Sequence, residues 1–192
     1  MRNDRNVKSL FPLAVGAILT LGGFLALAGT AHSDGRDRDD GRHHDHDRDG
    51  DRLQFEAQLS GAQEVPTVMT DASGRVSARF DESLSAVLVR LKVEDPSSDV
   101  VAAHFHCARP GTNGPVAFGL FSPGPCQFDG ERIKRCVLTN ADFTGADCTA
   151  TTGRPVNNIA ALAFAMRDGL IYANVHTVTS PGGEVRGQIP KP

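Results

Sequence analysis

Residues 53–189 alternate apolar and polar side chains in short runs separated by glycine- and proline-rich turns, a period-two pattern that suits half-buried strands and not helices. Leu53, Phe55, Ala57 and Leu59 alternate with polar partners until Gly61-Ala62-Gln63-Glu64-Val65-Pro66 breaks the run. Val76, Ala78 and Phe80 make a second run after Ser73-Gly74, and residues 84–93 a third, with Val87, Val89, Leu91 and Val93 on one face. Asp95-Pro96-Ser97-Ser98 reads as a turn. Two further strands, 100–107 and 115–121, flank Arg109-Pro110-Gly111-Thr112-Asn113-Gly114, and the last two, 171–179 and 184–189, are joined through Ser180-Pro181-Gly182-Gly183. Seven short strands with such turns predict an all-β fold, a Greek-key sandwich or barrel. One short helix interrupts them: Asn158 suits an N-cap, Ile159–Arg167 follows, and Gly169 suits the stop. Residues 122–157 hold three of the four cysteines with little periodicity and read as a disulfide-stapled insertion.

What precedes this domain has a different composition. Residues 1–9 carry Arg2, Arg5 and Lys8 against Asp4, an almost uncharged run covers 10–29, and small residues close it at Ala26-Leu27-Ala28 and Gly29-Thr30-Ala31. That is the layout of a secretory signal peptide, residues 1–31, with cleavage after Ala28 or Ala31. The rival is an uncleaved membrane anchor, since the apolar run approaches the ~20 residues that span a bilayer. Glycines at 16, 22, 23 and 29 and the small-residue exit favour cleavage, and a periplasmic or secreted destination. Residues 32–52 follow as a tether rich in Asp, His and Arg. Over 34–52 no aliphatic or aromatic side chain can offset the entropy of ordering, so disorder is the expectation. His43, His44 and His46 among eight aspartates allow a metal-scavenging role, but a solvated spacer is the preferred reading, since a floppy site pays ordering entropy on binding.

Cysteines 107, 126, 136 and 148 are an even set with no C-x-x-C pair, which in an exported chain reads as two disulfides. Pairing in sequence order, Cys107–Cys126 and Cys136–Cys148, is placed ahead of the other two connectivities. The formal charge of −3 becomes about −5 without the basic start, which leaves no cationic field for nucleic acid. Neither Ser60 nor Ser180 sits in an activated setting, and no glycine-rich loop suited to phosphate precedes a helix.

The domain has three histidines, His104, His106 and His176. Residues two apart on a strand share a face, so His104 and His106 project together while Phe105 and Cys107 point the other way. His176 shares its face with Tyr172 and Asn174. With His176 recruited, the three imidazoles can hold a metal, copper before zinc. The plainer reading is three histidines hydrogen-bonded in a polar rim. Glu184, Arg186 and Gln188 share a strand face and Glu64 lies on a loop; these four serve either as fold-maintaining pairs, Glu64 with Arg186 among them, or as polar support for the site, as do Tyr172 and Asn174.

Three motifs bring a family into view. Leu59-Ser60-Gly61-Ala62-Gln63-Glu64-Val65-Pro66 with Ala72-Ser73-Gly74 resembles the opening signature of CHRD (chordin-repeat) domains. Ala103-His104-Phe105-His106 with Pro110-Gly111-Thr112-Asn113-Gly114-Pro115-Val116 resembles their central motif. Tyr172-Ala173-Asn174-Val175-His176-Thr177 with Pro181-Gly182-Gly183-Glu184-Val185-Arg186-Gly187-Gln188-Ile189 resembles their closing one. The resemblance implies an extracytoplasmic β domain of the kind bacteria carry singly behind signal peptides; it does not carry over the growth-factor antagonism of animal chordin. A fainter resemblance is to copper–zinc superoxide dismutases, in the His-x-His pair, the late histidine and the Gly-rich Arg segment. The chain departs from them in lacking the zinc-subsite ligands and in offering three histidines where a full copper site uses four. The expected function is an exported binding module with copper at His104, His106 and His176. The alternatives are a dismutase-like redox enzyme and a structural or adhesive extracytoplasmic protein. The partner is a metal ion or an extracytoplasmic ligand, with membrane contact only if the signal is retained.

Overall fold

The computed structural model describes residues 53–189; the expected signal peptide and tether lie outside them. Eight strands run β1 Gln54–Ser60, β2 Ser73–Phe80, β3 Ala86–Glu94, β4 Val100–Cys107, β5 Val116–Phe121, β6 Arg132–Thr139, β7 Ile171–Thr177 and β8 Val185–Gln188. Two helices, α1 Thr149–Thr152 and α2 Ile159–Arg167, lie between β6 and β7. All strand pairs are antiparallel, in the order β5-β4-β7-β8-β1-β2-β3-β6. β3 pairs with β6 and β4 with β7, so the chain skips neighbours in Greek-key fashion and curls into a nearly closed barrel. Among the described residues no helix is long and apolar enough to cross a membrane.

The alternating residues fill the barrel. Phe55, Leu59, Val76, Phe80, Val89, Leu91, Phe105, Phe118 and Val175 are all buried, and Phe55 meets Phe80 edge-on at 5.9 Å. Helix α2 lays Ile159, Leu162, Ala163 and Met166 against this core. Its N-cap is Asn158, whose side chain accepts from Ala161 N–H at 2.8 Å, and Gly169 takes φ 68° just past its end.

The segment 122–157 is not merely an insertion: it contains an eighth strand, β6. There the alternation fails because the register with β3 shifts between Val89 and Leu91, and Lys134 and Arg135 both face outward between buried Ile133 and Cys136. One extra residue in a bulge hides a strand from a period-two reading.

The sheet ends, β5 and β6, are joined covalently. After β5 the chain doubles back, Phe121 bridging Pro125 and Cys126 N–H donating to Leu120 O at 2.9 Å. Cys126 then bonds Cys136 on β6, and Phe143 and Thr144 pair with Phe118 and Ala117 along the rest of the β5 edge. An otherwise open edge is thereby covered.

The second disulfide is Cys107–Cys148, so the pairing is nested and the sequence-order expectation is wrong. The reason is register. Phe121, next to Cys126, lies opposite Ala103, four residues along β4 from Cys107. At ~3.3 Å per residue that is about 13 Å, well beyond the roughly 7 Å that a disulfide spans between Cα atoms.

The two bridges close loops of 41 and 10 residues. In the chain-entropy relation these contribute about 4 and about 3 kcal/mol. Urea unfolding of the Cys107→Ala/Cys148→Ala and Cys126→Ala/Cys136→Ala proteins is expected to show losses in that order; equal or reversed losses would show that barrel closure, not loop length, sets their worth.

Candidate metal centre

Strands β4 and β7 are neighbours, with Ala102 opposite His176, His104 opposite Asn174 and His106 opposite Tyr172. Directly opposed residues share a face, so these six lie together on the side of the sheet away from Ala103, Phe105 and the core. β8 extends the row, placing Arg186 beside Asn174 and Gln188 beside Tyr172.

An outward sheet face is ordinarily wet. This one is buried, with His104 and His106 each 9% exposed, Asn174 5%, Tyr172 2% and Arg186 1%. Loops cover it. Arg186 donates from Nη2 to Thr112 O at 2.8 Å and from Nη1 to Asn113 Oδ1 at 3.0 Å, and Asn113 Nδ2 donates to Val65 O at 2.6 Å. Thr70 Oγ1 and Ser97 N–H donate to Glu184 Oε1 at 2.6 and 3.0 Å.

Within this cover the three histidines converge: one ring nitrogen from each falls within 4.8 Å of the other two. His104 Nδ1 and His176 Nε2 are hydrogen-bonded at 3.2 Å, and with the His176 proton on Nδ1 it is His104 that donates. His106 Nδ1 donates to Gly114 O at 2.9 Å and His176 Nδ1 to Pro181 O at 3.0 Å. A proton held at Nδ1 leaves Nε2 unprotonated, which is how a backbone carbonyl orients a metal-binding imidazole. Nε2 of His104 and of His106 are buried without a hydrogen-bond partner.

Gly114 is a clamp. Its carbonyl takes the His106 proton, and its N–H donates to Tyr172 Oη at 3.2 Å. A Cβ there would stand 2.1 Å from Cys107 O, so no other residue fits. Tyr172 stacks on His106 at 4.8 Å and 8° between planes. Since β7 lies between β4 and β8, the ring is held between His106 and the Arg186 guanidinium, whose Cζ is 3.4 Å from the ring centroid.

Glu64 and Arg186 interact, though not as the direct pair that the sequence suggested. Burial pushes the Glu64 carboxyl up to about 7, with Arg186 and Asn174 pulling the other way, while the Arg186 Nη atoms are turned to Thr112, Asn113 and Gln188. Burial also raises Glu184, but bonds from Thr70, Thr177 and Ser97 outweigh it and hold that carboxyl below the usual range. Gln188 Nε2 donates to Gly169 O and Ile171 O, so its role is to hold the fold. The carbonyls of Gly114 and Pro181 were not foreseen as site groups, because a backbone acceptor has no signature of its own; the Pro-Gly-Thr-Asn-Gly run was the nearest signal.

Residues 55–189 match the CHRD domain. The chain belongs to the CHRD family. No curated protein and no solved structure matches it. The His-x-His pair, the Pro-Gly-Thr-Asn-Gly loop and the closing Gly-Gly-Glu-Val-Arg strand of this CHRD domain thus meet on one covered face.

That face sets a pH dependence. Burial, then the neighbouring rings, lowers His104 to about 4; burial lowers His106 to about 4 against the pull of Gly114 O, and lowers His176 as well. Their contributions are complete above 6.5, the unfolded value, and are lost as pH falls from there to about 4. Glu64, raised from 4.5 to about 7, acts oppositely, its contribution being lost as pH rises across that interval. Two histidines outweigh one carboxyl. The metal-free protein is expected to gain stability from pH 4.5 to 6.5 with net uptake of about one proton on unfolding, measured by urea midpoints. Stability that falls over this interval would show that the rings are not buried neutral.

Proposed function

We propose that this CHRD protein is an exported metal-binding module that holds one copper ion through His104, His106 and His176. The observation that carries the reading is the pair of Nδ1–H···O=C bonds to Gly114 and Pro181, which leave Nε2 of His106 and of His176 unprotonated among three mutually close rings. Three neutral imidazoles suit Cu and Zn, and at a given nitrogen site Cu(II) binds the more tightly. Burial that keeps the rings uncharged also favours this, because a protonated imidazole is no ligand. Two disulfides and the basic-apolar-small order of residues 1–31 support a periplasmic or secreted location.

An open concavity of about 550 Å³ over β2, β3 and β6 does not compete as the site. Four of its five cations, Arg75, Lys92, Arg132 and Lys134, are paired with Glu56, Glu94, Glu131 and Asp129, as a solvated charged face would be. The dismutase-like and adhesive alternatives have no observation of their own and are not carried forward.

The test is a copper titration of protein made without an added His tag and with His43→Ala, His44→Ala and His46→Ala, so that the domain site alone is read. One Cu(II) per chain is expected. His176→Ala is expected to weaken binding by more than about a hundredfold, above the usual effect of a supporting residue. Copper uptake unaffected by His176→Ala, or no stoichiometric uptake, would refute the reading.

A further inference from the structure

Two of the three rings have their tautomer fixed from outside the cluster. The carbonyls of Gly114 and Pro181 can only accept, so the protons of His106 and His176 sit on Nδ1. His104 is held differently. Its Nδ1 donates to His176 Nε2 at 3.2 Å, and its Nε2 is buried with no partner. Among the described residues, only His176 therefore fixes which nitrogen of His104 carries the proton.

Burial favours the neutral form of His176, and with Nδ1 committed to Pro181 its one available lone pair is on Nε2. That lone pair already accepts from His104. An ion held by all three histidines needs the same lone pair, so the internal hydrogen bond and the ion exclude each other. Spacing shows what replaces what. Two nitrogens each ~2.0–2.1 Å from one tetrahedral ion lie roughly 3.3–3.4 Å apart. His104 Nδ1 and His176 Nε2 stand at almost that separation already.

We propose that the His104–His176 hydrogen bond is a placeholder for the ion, which on uptake lies between His104 Nδ1 and His176 Nε2 while the His104 proton passes from Nδ1 to Nε2. The N–H bond at Nδ1 breaks and one at Nε2 forms, so the ring stays neutral and no proton is gained or lost. The inference rests on the histidine site proposed above and adds how that site is governed. Without an ion the site is capped by its own hydrogen bond. His104 is the ring that switches, because the two carbonyls keep His106 and His176 in one tautomer in both states. Its Nε2 has no partner in the metal-free protein, so the proton returns to Nδ1 and to His176 when the ion leaves.

The test is long-range proton–nitrogen NMR on the ¹⁵N-labelled, untagged full chain carrying His43→Ala, His44→Ala and His46→Ala. Spectra are compared for the metal-free protein and after one equivalent of Zn(II), a closed-shell probe that takes the same imidazole donors. His104 is expected to change from Nδ1-protonated to Nε2-protonated, with Nδ1 taking up a metal-bound shift, while His106 and His176 keep their protons on Nδ1. A loaded His104 still protonated at Nδ1 would overturn the inference. Copper affinity gives a second readout, since the amide of His104→Asn reaches the place of Nδ1 and that of His104→Gln the place of Nε2. The asparagine variant is expected to bind copper at least about tenfold tighter, the scale on which a metal site feels a misplaced group; the reverse order would also overturn the inference. The NMR comparison needs no substitution in the site, so it decides alone if either variant fails to fold. Rings unmoved by Zn(II) and by Cu(I) alike would remove the histidine site itself, and this inference with it.

Discussion

A guanidinium buried on the outside of a barrel wall is the constraint from which the rest of this face follows. Arg186 is 1% exposed, on a strand face that the core does not touch. Taking that charge out of water costs several kcal/mol unless its donors are met. Thr112 O, Asn113 Oδ1 and the Tyr172 ring meet them, and that fixes the 108–115 loop on the sheet. The same loop presents Gly114 O to His106 and Gly114 N–H to Tyr172. A charge on β8 thereby sets the tautomer of a ring on β4, two strands away.

The division of labour along β4 and β7 is simple. Ala103, Phe105, Ala173 and Val175 face inward and hold the barrel; Ala102, His104, His106, Tyr172, Asn174 and His176 face outward and build the site. Within the second set His106, Tyr172 and His176 are held by the covering loops and not by the apolar core. Loops that cover it are tied down by side chains from distant positions, as when Thr70 and Ser97 share Glu184 Oε1. Electrostatics inside are correspondingly strong, and the three rings stay neutral where free histidine would begin to titrate.

Much of this was legible beforehand because strand alternation is a direct image of burial. Phe55, Ala57 and Leu59, or Val87, Val89, Leu91 and Val93, are all buried as their spacing says. Helix α2 was legible from Asn158 and Gly169 for the same local reasons that form it. Strand β6 was not, since its bulge sets Lys134 and Arg135 side by side. Disulfide pairing was not either, because it depends on how β5 aligns with β4, a fact of register and not of spacing. That His104 and His106 share a face could be read from their spacing, and so could the face of His176. That the two faces are one required the β4–β7 pairing, and the carbonyls that orient the rings belong to loops whose course only the fold reveals.

The central claim is that the fold presets these histidines as ligands before any ion arrives. Long-range proton–nitrogen NMR on metal-free, ¹⁵N-labelled protein at neutral pH reads the tautomer of each ring directly. The account predicts His106 and His176 both protonated at Nδ1, with their Nε2 atoms unprotonated. Either ring found protonated at Nε2 would contradict it, since the carbonyls of Gly114 and Pro181 would then not be holding the ligands in place.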